Sequence, residues 1–381
     1  MRILQIANGY LGNRLYKNLF SFQKDLGIQN TIYVPIANGE KIPVGEPDHV
    51  VISPCFSQLD RLLFFRKQKN MLKDLEKLDP SQYDLVHAHT VFSGGYSAYR
   101  LHKQYGLPYI VAVRNTDVNV FFKRMLHLRK TGVEILRCAE KIIFLSPAYQ
   151  KLVLDKYIPH TDRKTIEAKS LVIPNGIDSL FFTHKGSAKT WTNDALRLIY
   201  VGEVNSNKNP ELTIEAVKKL RSEGIAATLR VVGDISEEAY RQQLQKEPFI
   251  SYYPRCPLEQ VLEHLRQADI FVMPSHTETF GLVYAEAMSQ GLPVLYTRGQ
   301  GFDGQFPDGT VGYAVSDTDP QELAEKIKAV KEHYAALSQN CIQLVDRYEW
   351  KRIAEEYAAI YQSICQRNHY ASGEGEDPIC P

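Results

Sequence analysis

The sequence predicts an α/β protein of two successive domains, each organised on a parallel β-sheet. Its 381 residues exceed what one hydrophobic core ordinarily serves, and a composition 44% apolar and 23% charged is that of a globular chain. Short apolar runs rich in β-branched residues alternate with segments of helical period, the pattern of βαβ units. That alternation stops and restarts once. At Leu171-Val172-Ile173-Pro174-Asn175-Gly176-Ile177-Asp178 an apolar strand runs into a Pro-Asn-Gly turn, and the polar stretch 184–194 follows. The expected division is a first domain over 1–180, a second over 185–345, a helical segment over 346–365 and a disordered tail over 366–381.

In chain order, strands are expected at 2–7, 31–34, 84–88, 109–113 and 141–145, interleaved with helices at 16–26, 59–78, 95–105 and 122–139. The second domain repeats the scheme with strands at 196–201, 227–232, 270–273 and 293–296 and helices at 210–221, 258–266, 282–290 and 320–336. The amphipathic segment 350–365 follows a finished domain and must find its packing partner elsewhere. Residues 371–381 carry Gly, Ser, Asp, Glu and Pro and have too little apolar surface to fold.

Forty-five basic side chains nearly balance 44 acidic ones, so an anion site must be local and nucleic acid is not an expected partner. The six cysteines show no Cys-x-x-Cys pair and no close histidine to suggest zinc, and read as reduced thiols. The opening Met1-Arg2-Ile3-Leu4-Gln5-Ile6 reads as a strand rather than a leader, and no run of about eighteen uncharged apolar residues suggests a span. A cytoplasmic protein is expected. Segments 61–69 and 121–130 mix bulky apolar residues with Arg and Lys, as helices lying at the inner face of a membrane do, so a peripheral membrane contact is expected there; buried helices with solvated basic faces fit the same residues.

The most informative stretch is His276-Thr277-Glu278-Thr279-Phe280-Gly281-Leu282-Val283-Tyr284-Ala285-Glu286-Ala287-Met288, which follows a buried strand and opens into a helix. Amides of Phe280, Gly281 and Leu282 would lie at the helix start, where unpaired N–H groups attract phosphate, and Gly281 permits close approach. Glu278 and Glu286 would reach opposite ends of one elongated ligand and accept hydrogen bonds from its hydroxyls. The residues alone leave open an N-capped amphipathic helix with two incidental acids. A second segment, Tyr200-Val201-Gly202-Glu203-Val204-Asn205-Ser206-Asn207-Lys208-Asn209-Pro210, joins a strand to a helix through a polar loop where Lys208 could neutralise phosphate charge. Asn8-Gly9-Tyr10-Leu11-Gly12-Asn13 follows the first strand as a short glycine loop without the full dinucleotide spacing, and Arg114-Asn115-Thr116-Asp117 ends the strand at 110–113.

Glu-x-Phe-Gly-Leu-x-x-x-Glu-Ala-Met closely resembles the signature of the retaining glycosyltransferases of family 4, which have the GT-B fold. Phe144-Leu145-Ser146, the Pro-Asn-Gly-Ile-Asp turn, His87-Ala88-His89 and the Trp350 helix extend the resemblance over roughly residues 1–365. It implies two Rossmann-like domains with parallel sheets facing an interdomain cleft, and a C-terminal helix crossing back to the first. It also implies that Glu278 contacts the donor sugar, Glu286 the ribose, the Phe280, Gly281 and Leu282 amides and Lys208 the diphosphate, and Gly12 the donor phosphate. The nucleobase would lie near Tyr253-Pro254-Arg255-Cys256-Pro257, which makes Arg255 a donor-site residue. Two positions depart from the family pattern: Glu203 stands at the usual arginine and Arg114 at the usual histidine, with Asp117 retained.

The implied activity is retaining transfer of a hexose or N-acetylhexosamine from a nucleotide sugar, a UDP-sugar favoured, to a glycan or lipid-linked acceptor in bacterial cell-surface polysaccharide or glycolipid synthesis. Catalytic roles fall to Glu278, Lys208, Arg114 and Asp117. No cofactor or metal is expected. A catalytically silent sugar-nucleotide-binding subunit and a non-hydrolysing epimerase remain as alternatives.

Overall fold

A computed structural model describes residues 1–12, 14–192 and 195–371, with the side chains of 368–371 left aside. The chain divides into two units, one comprising Met1–Leu145, Gln150–Ile173 and the segment from Trp350 onward, the other Ser146–Tyr149 and Pro174–Glu349.

The first unit holds seven parallel strands: β1 (Arg2–Ile6), β2 (Gln29–Ala37), β3 (Val50–Phe56), β4 (Leu85–Ala88), β5 (Tyr109–Ala112), β6 (Lys141–Phe144) and β7 (Ser170–Val172), in the spatial order β3-β2-β1-β4-β5-β6-β7. Strands β4 and β5 are buried on both faces, which is why, apart from His87, they read as apolar runs. Helices α1 (Arg14–Asp25), α2 (Phe64–Leu75), α3 (Gly95–Tyr105), α4 (Arg129–Cys138), α5 (Pro147–Lys156) and α6 (His160–Lys169) connect them. The helix expected over 59–78 is broken. Ser57 and Asp60 form a reciprocal capping box that closes a separate 3-10 turn at Gln58–Arg61, so α2 starts only at Phe64. The helix expected over 122–139 is likewise preceded by a π-helical turn, Asp117–Phe122, and a 3-10 turn, Leu126–Leu128.

The second unit begins with α7 (Leu180–Thr183). It contains β8 (Leu196–Val201), α8 (Pro210–Ser222), β9 (Ala227–Val232), α9 (Glu238–Lys246), β10 (Ile250–Tyr253), α10 (Leu258–Arg266), β11 (Ile270–Val272), α11 (Leu282–Met288), β12 (Val294–Thr297), β13 (Gly312–Val315), α12 (Pro320–Glu332) and α13 (Tyr334–Leu344). Its six strands are all parallel, in the order β10-β9-β8-β11-β12-β13. Both sheets therefore reverse their winding between the first strand and the one beside it, at β1/β4 and at β8/β11.

Helix α14 (Trp350–Ala371) belongs to the first unit, where Trp350, Ile353, Tyr357, Tyr361 and Ile364 join the core over β1 and α1. Its polar anchor is Tyr361. That hydroxyl meets His87 Nδ1 at 2.7 Å and accepts from Gln23 at 3.2 Å, while Gln5 of β1 lies in register with His87 of β4. A glutamine inside an apolar strand is thus explained by the helix that covers it. The helix runs on past 365 to Ala371; the rest of the expected tail, 372–381, lies outside the described residues. Among the described residues Cys55, Cys256, Cys341 and Cys365 are free thiols. Among the described residues no helix is long and apolar enough to cross a membrane.

Candidate functional site

In the second unit the loops that leave the carboxyl ends of β8 and β11 lie side by side at the winding reversal, the position where open α/β sheets bind ligands. The β8 loop makes a 3-10 turn at Ser206–Lys208, closed by the Asn205 side chain accepting from the Lys208 amide at 3.0 Å. Asn209 then takes a left-handed conformation (φ 53°) ahead of Pro210, the first residue of α8. Two asparagines lace this loop to its neighbour. Asn207 Nδ2 donates to the Thr277 carbonyl at 3.0 Å and Asn209 Nδ2 to the Pro274 carbonyl at 3.1 Å, while the His276 amide donates to the Asn207 carbonyl at 2.8 Å.

This lacing brings Lys208 Nζ to 2.5 Å from Glu278 Oε2, with side chains 23% and 14% exposed. An ammonium and a carboxylate at that spacing, screened from most water, form a strong charge-assisted pair. The turn carrying Glu278 is gripped from β12: the Glu278 amide donates to Gln300 Oε1 at 3.0 Å and the Gly301 amide to the Glu278 carbonyl at 2.6 Å. A Cβ at Gly301 would lie 2.0 Å from the Thr279 carbonyl carbon, so only glycine permits the approach. Gly281 is equally constrained, at φ 74° with the Tyr284 ring 2.4 Å from where a Cβ would stand. The amides of Gly281 and Leu282 sit at the start of α11, without intrahelical partners. The Phe280 amide instead reaches Glu278 Oε1 at 3.4 Å, and its ring packs against Tyr348, so Phe280 offers the site backbone only.

Glu286 lies about one turn into α11, partly buried, and desolvation pushes its carboxyl up to about 7, with the Asp178 carboxylate adding to the effect. Asp178 is anchored by accepting the Leu180 amide at 3.0 Å. Glu203 is exposed, and its carbonyl, not its carboxylate, is held by the Tyr200 hydroxyl at 2.8 Å. Arg255 is exposed beyond the edge strand β10, which β9 separates from β8. The structure therefore brings together Lys208, Glu278, Gly281, Leu282 and Phe280, and leaves Glu203 and Arg255 outside that group.

In the first unit, Asp117 is 1% exposed and accepts the amides of Val91, Phe92 and Arg114 at 3.0, 3.0 and 2.9 Å. Through these bonds the carboxylate braces the loops after β4 and β5. Burial pushes it up to about 6 against the pull of those amides. Arg114 donates from Nε to the His89 carbonyl at 3.3 Å and also meets the Tyr357 hydroxyl, and its Nη1 is buried without a partner. His87 and His89 are fully buried and stacked at 4.0 Å, and burial holds both well below the ordinary histidine value, with Arg114 adding to it. They are buried core histidines. Gly12 ends a 3-10 turn after β1, and a Cβ there would meet nothing within 4 Å, so no close packing requires glycine. Asn13 lies outside the described residues.

Gln300, Gly301, Asn207, Asn209 and Asp178 were not legible as site residues. Gly299-Gln300-Gly301, two residues after the expected strand at 293–296, is a signal that could have found Gln300 and Gly301, since it is the same strand-to-glycine-loop placement that singles out Gly12.

A family model described as glycosyl transferases group 1 matches residues 186–344, and one described as glycosyltransferase family 4 matches residues 12–179. The chain belongs to glycosyltransferase family 4. Among relatives of this glycosyltransferase is the D-inositol 3-phosphate glycosyltransferase of Geodermatophilus obscurus, 27% identical over 79% of this chain and 71% of the relative. Its fold is that of GT-B enzymes. Sucrose-phosphate synthase from Thermosynechococcus elongatus superposes over 96% of this chain and all of the other with a TM-score of 0.72 at 17% identity. Anabaena Alr3699/HepE, solved in complex with UDP and glucose, covers 95% of this glycosyltransferase and all of its own chain, with a TM-score of 0.63 at 17% identity.

Proposed function

We propose that this glycosyltransferase moves a hexose or N-acetylhexosamine from a UDP-sugar to an acceptor hydroxyl, with retention at the anomeric carbon, in building a bacterial cell-surface polysaccharide or glycolipid. The observation that carries the reading is the Lys208–Glu278 pair beside the α11 amides at the winding reversal. A donor diphosphate exchanges for Glu278 as the partner of Lys208, and the released carboxylate accepts hydrogen bonds from the sugar hydroxyls. Lys208 and the amides of Gly281 and Leu282 then stabilise the charge that develops on the departing nucleotide. Glu286, further along the same helix, accepts the ribose hydroxyls. The complex of Anabaena Alr3699/HepE with UDP and glucose supports a UDP-sugar as donor.

Lys208 supplies the positive charge that a metal supplies elsewhere, so turnover should survive a chelator. The test is release of UDP from UDP-sugars with and without EDTA. Turnover abolished by EDTA and restored by a divalent cation would overturn metal independence. A silent sugar-nucleotide-binding subunit is the second reading, favoured by exposed Glu203 at the family's arginine position. It predicts donor binding without nucleotide release under any acceptor.

A further inference from the structure

We propose that the first unit carries a docking surface for an anionic lipid bilayer, built from α2, α3 and the segment 121–131; it goes beyond the transferase reading and does not depend on it. A groove of about 540 Å³ is lined by Phe65, Tyr96, Tyr99, Arg100, Lys103 and Lys130. Its aromatic wall is continuous, with the Phe65 and Tyr96 rings at 5.9 Å and the Phe64 and Tyr96 rings at 5.6 Å. Glu134 is the one carboxylate in the lining, and its charge is already answered by Arg137 at 2.5 Å and by the Tyr99 hydroxyl at 3.1 Å. Arg100 and Lys130 pair with no carboxylate among the described residues, so the groove presents a positive charge.

In the segments that lead into its lining residues the chain exposes large apolar side chains that a water-facing surface has no use for. Leu62 is 85% exposed, Leu63 50%, Phe65 52% and Leu126 62%, and Lys123 and Arg124 stand exposed just before Leu126. A free anion would satisfy the cations and leave Leu62 and Leu126 in water. An apolar protein face would cover the leucines and strand Arg100 and Lys130. The boundary between headgroups and acyl chains of an anionic bilayer satisfies both within one shallow insertion.

The test floats the full chain with vesicles of phosphatidylcholine mixed with phosphatidylglycerol, against phosphatidylcholine alone, at low and high salt. Flotation is expected with the mixed vesicles only, and is lost as salt rises. Each cation at the surface is worth about fivefold in affinity, so Arg100→Glu with Lys130→Glu should weaken binding at least about 25-fold. Leu62→Ser with Leu126→Ser, both exposed and expected to leave the melting temperature unchanged, should weaken it about tenfold or more. No flotation at low salt, undiminished binding in both double variants, or release by inorganic phosphate beyond that caused by chloride of equal ionic strength would overturn the proposal.

Discussion

Replacing Lys208 by methionine keeps the length of the stem and removes only the charge. In the folded protein this leaves Glu278, 14% exposed, with its partner gone. Breaking a fully buried pair costs about 3–5 kcal/mol and an exposed one about 0–1. A pair of intermediate exposure, 23% on the lysine side, should therefore cost about 1–2 kcal/mol. The effect on transfer is larger, because a donor aimed at developing charge is lost: about 10²–10³ in kcat, or roughly 3–4 kcal/mol of transition-state stabilisation. Stability is read from urea midpoints and activity from UDP release. A cycle adding Glu278→Gln separates the two, since the stability penalty should largely vanish in the double variant while activity stays low. Lys208→Met turnover within about threefold of the parent, in a folded protein, would refute the assignment of Lys208 to the leaving group.

Gly301→Ala should melt markedly lower and lose donor binding together, because its Cβ would collide with the turn that carries Glu278; an unchanged melting temperature would refute the close approach. Tyr361→Phe removes the partner of His87 Nδ1 inside the core, at an expected cost of about 1–3 kcal/mol in urea with an unchanged slope; a cost near zero would contradict the anchoring of α14. Glu286 titrates near 7 in the folded protein, above the ordinary glutamate value, so it stabilises fully below about pH 4.5 and that contribution is lost as pH rises through about 7. Glu286→Gln should accordingly raise the melting temperature at about pH 8 more than at about pH 5 while abolishing stabilisation by a UDP-sugar. A melting difference independent of pH would rule out the raised carboxyl.

Central strands announced themselves because burial on both faces favours apolar residues: β4 and β5 are fully covered, and apart from His87 their sequences are apolar. The strands that escaped are at the margins of the sheets. β3 and β10 are edge strands of mixed exposure, and β13, also an edge, opens with Gly312, so none carries a continuous apolar run. The segment 320–336 reads as one helix, yet the helix ends at Glu332 and a new one starts at Tyr334, a break at His333 that no glycine or proline in the sequence marks. At the site, Lys208, Glu278 and Gly281 were legible from motif spacing. Gln300 and Gly301 were not, because their role exists only once β12 brings its loop against the Glu278 turn. The partners of Asp117 were hidden for the same reason: the amides of Val91 and Phe92, distant in sequence, meet its carboxylate only in the folded chain.

The central claim is that the β8 and β11 loops form a working sugar-nucleotide site. Thermal denaturation of the full chain against UDP- and GDP-sugars, with the same sample followed for nucleotide release, tests it most directly. One donor, a UDP-sugar, should stabilise the protein by about 2.7 kcal/mol at a hundredfold excess over Kd, and that gain should disappear in Lys208→Met and in Glu286→Gln. Stabilisation by no donor, or stabilisation that survives both substitutions, would contradict the account.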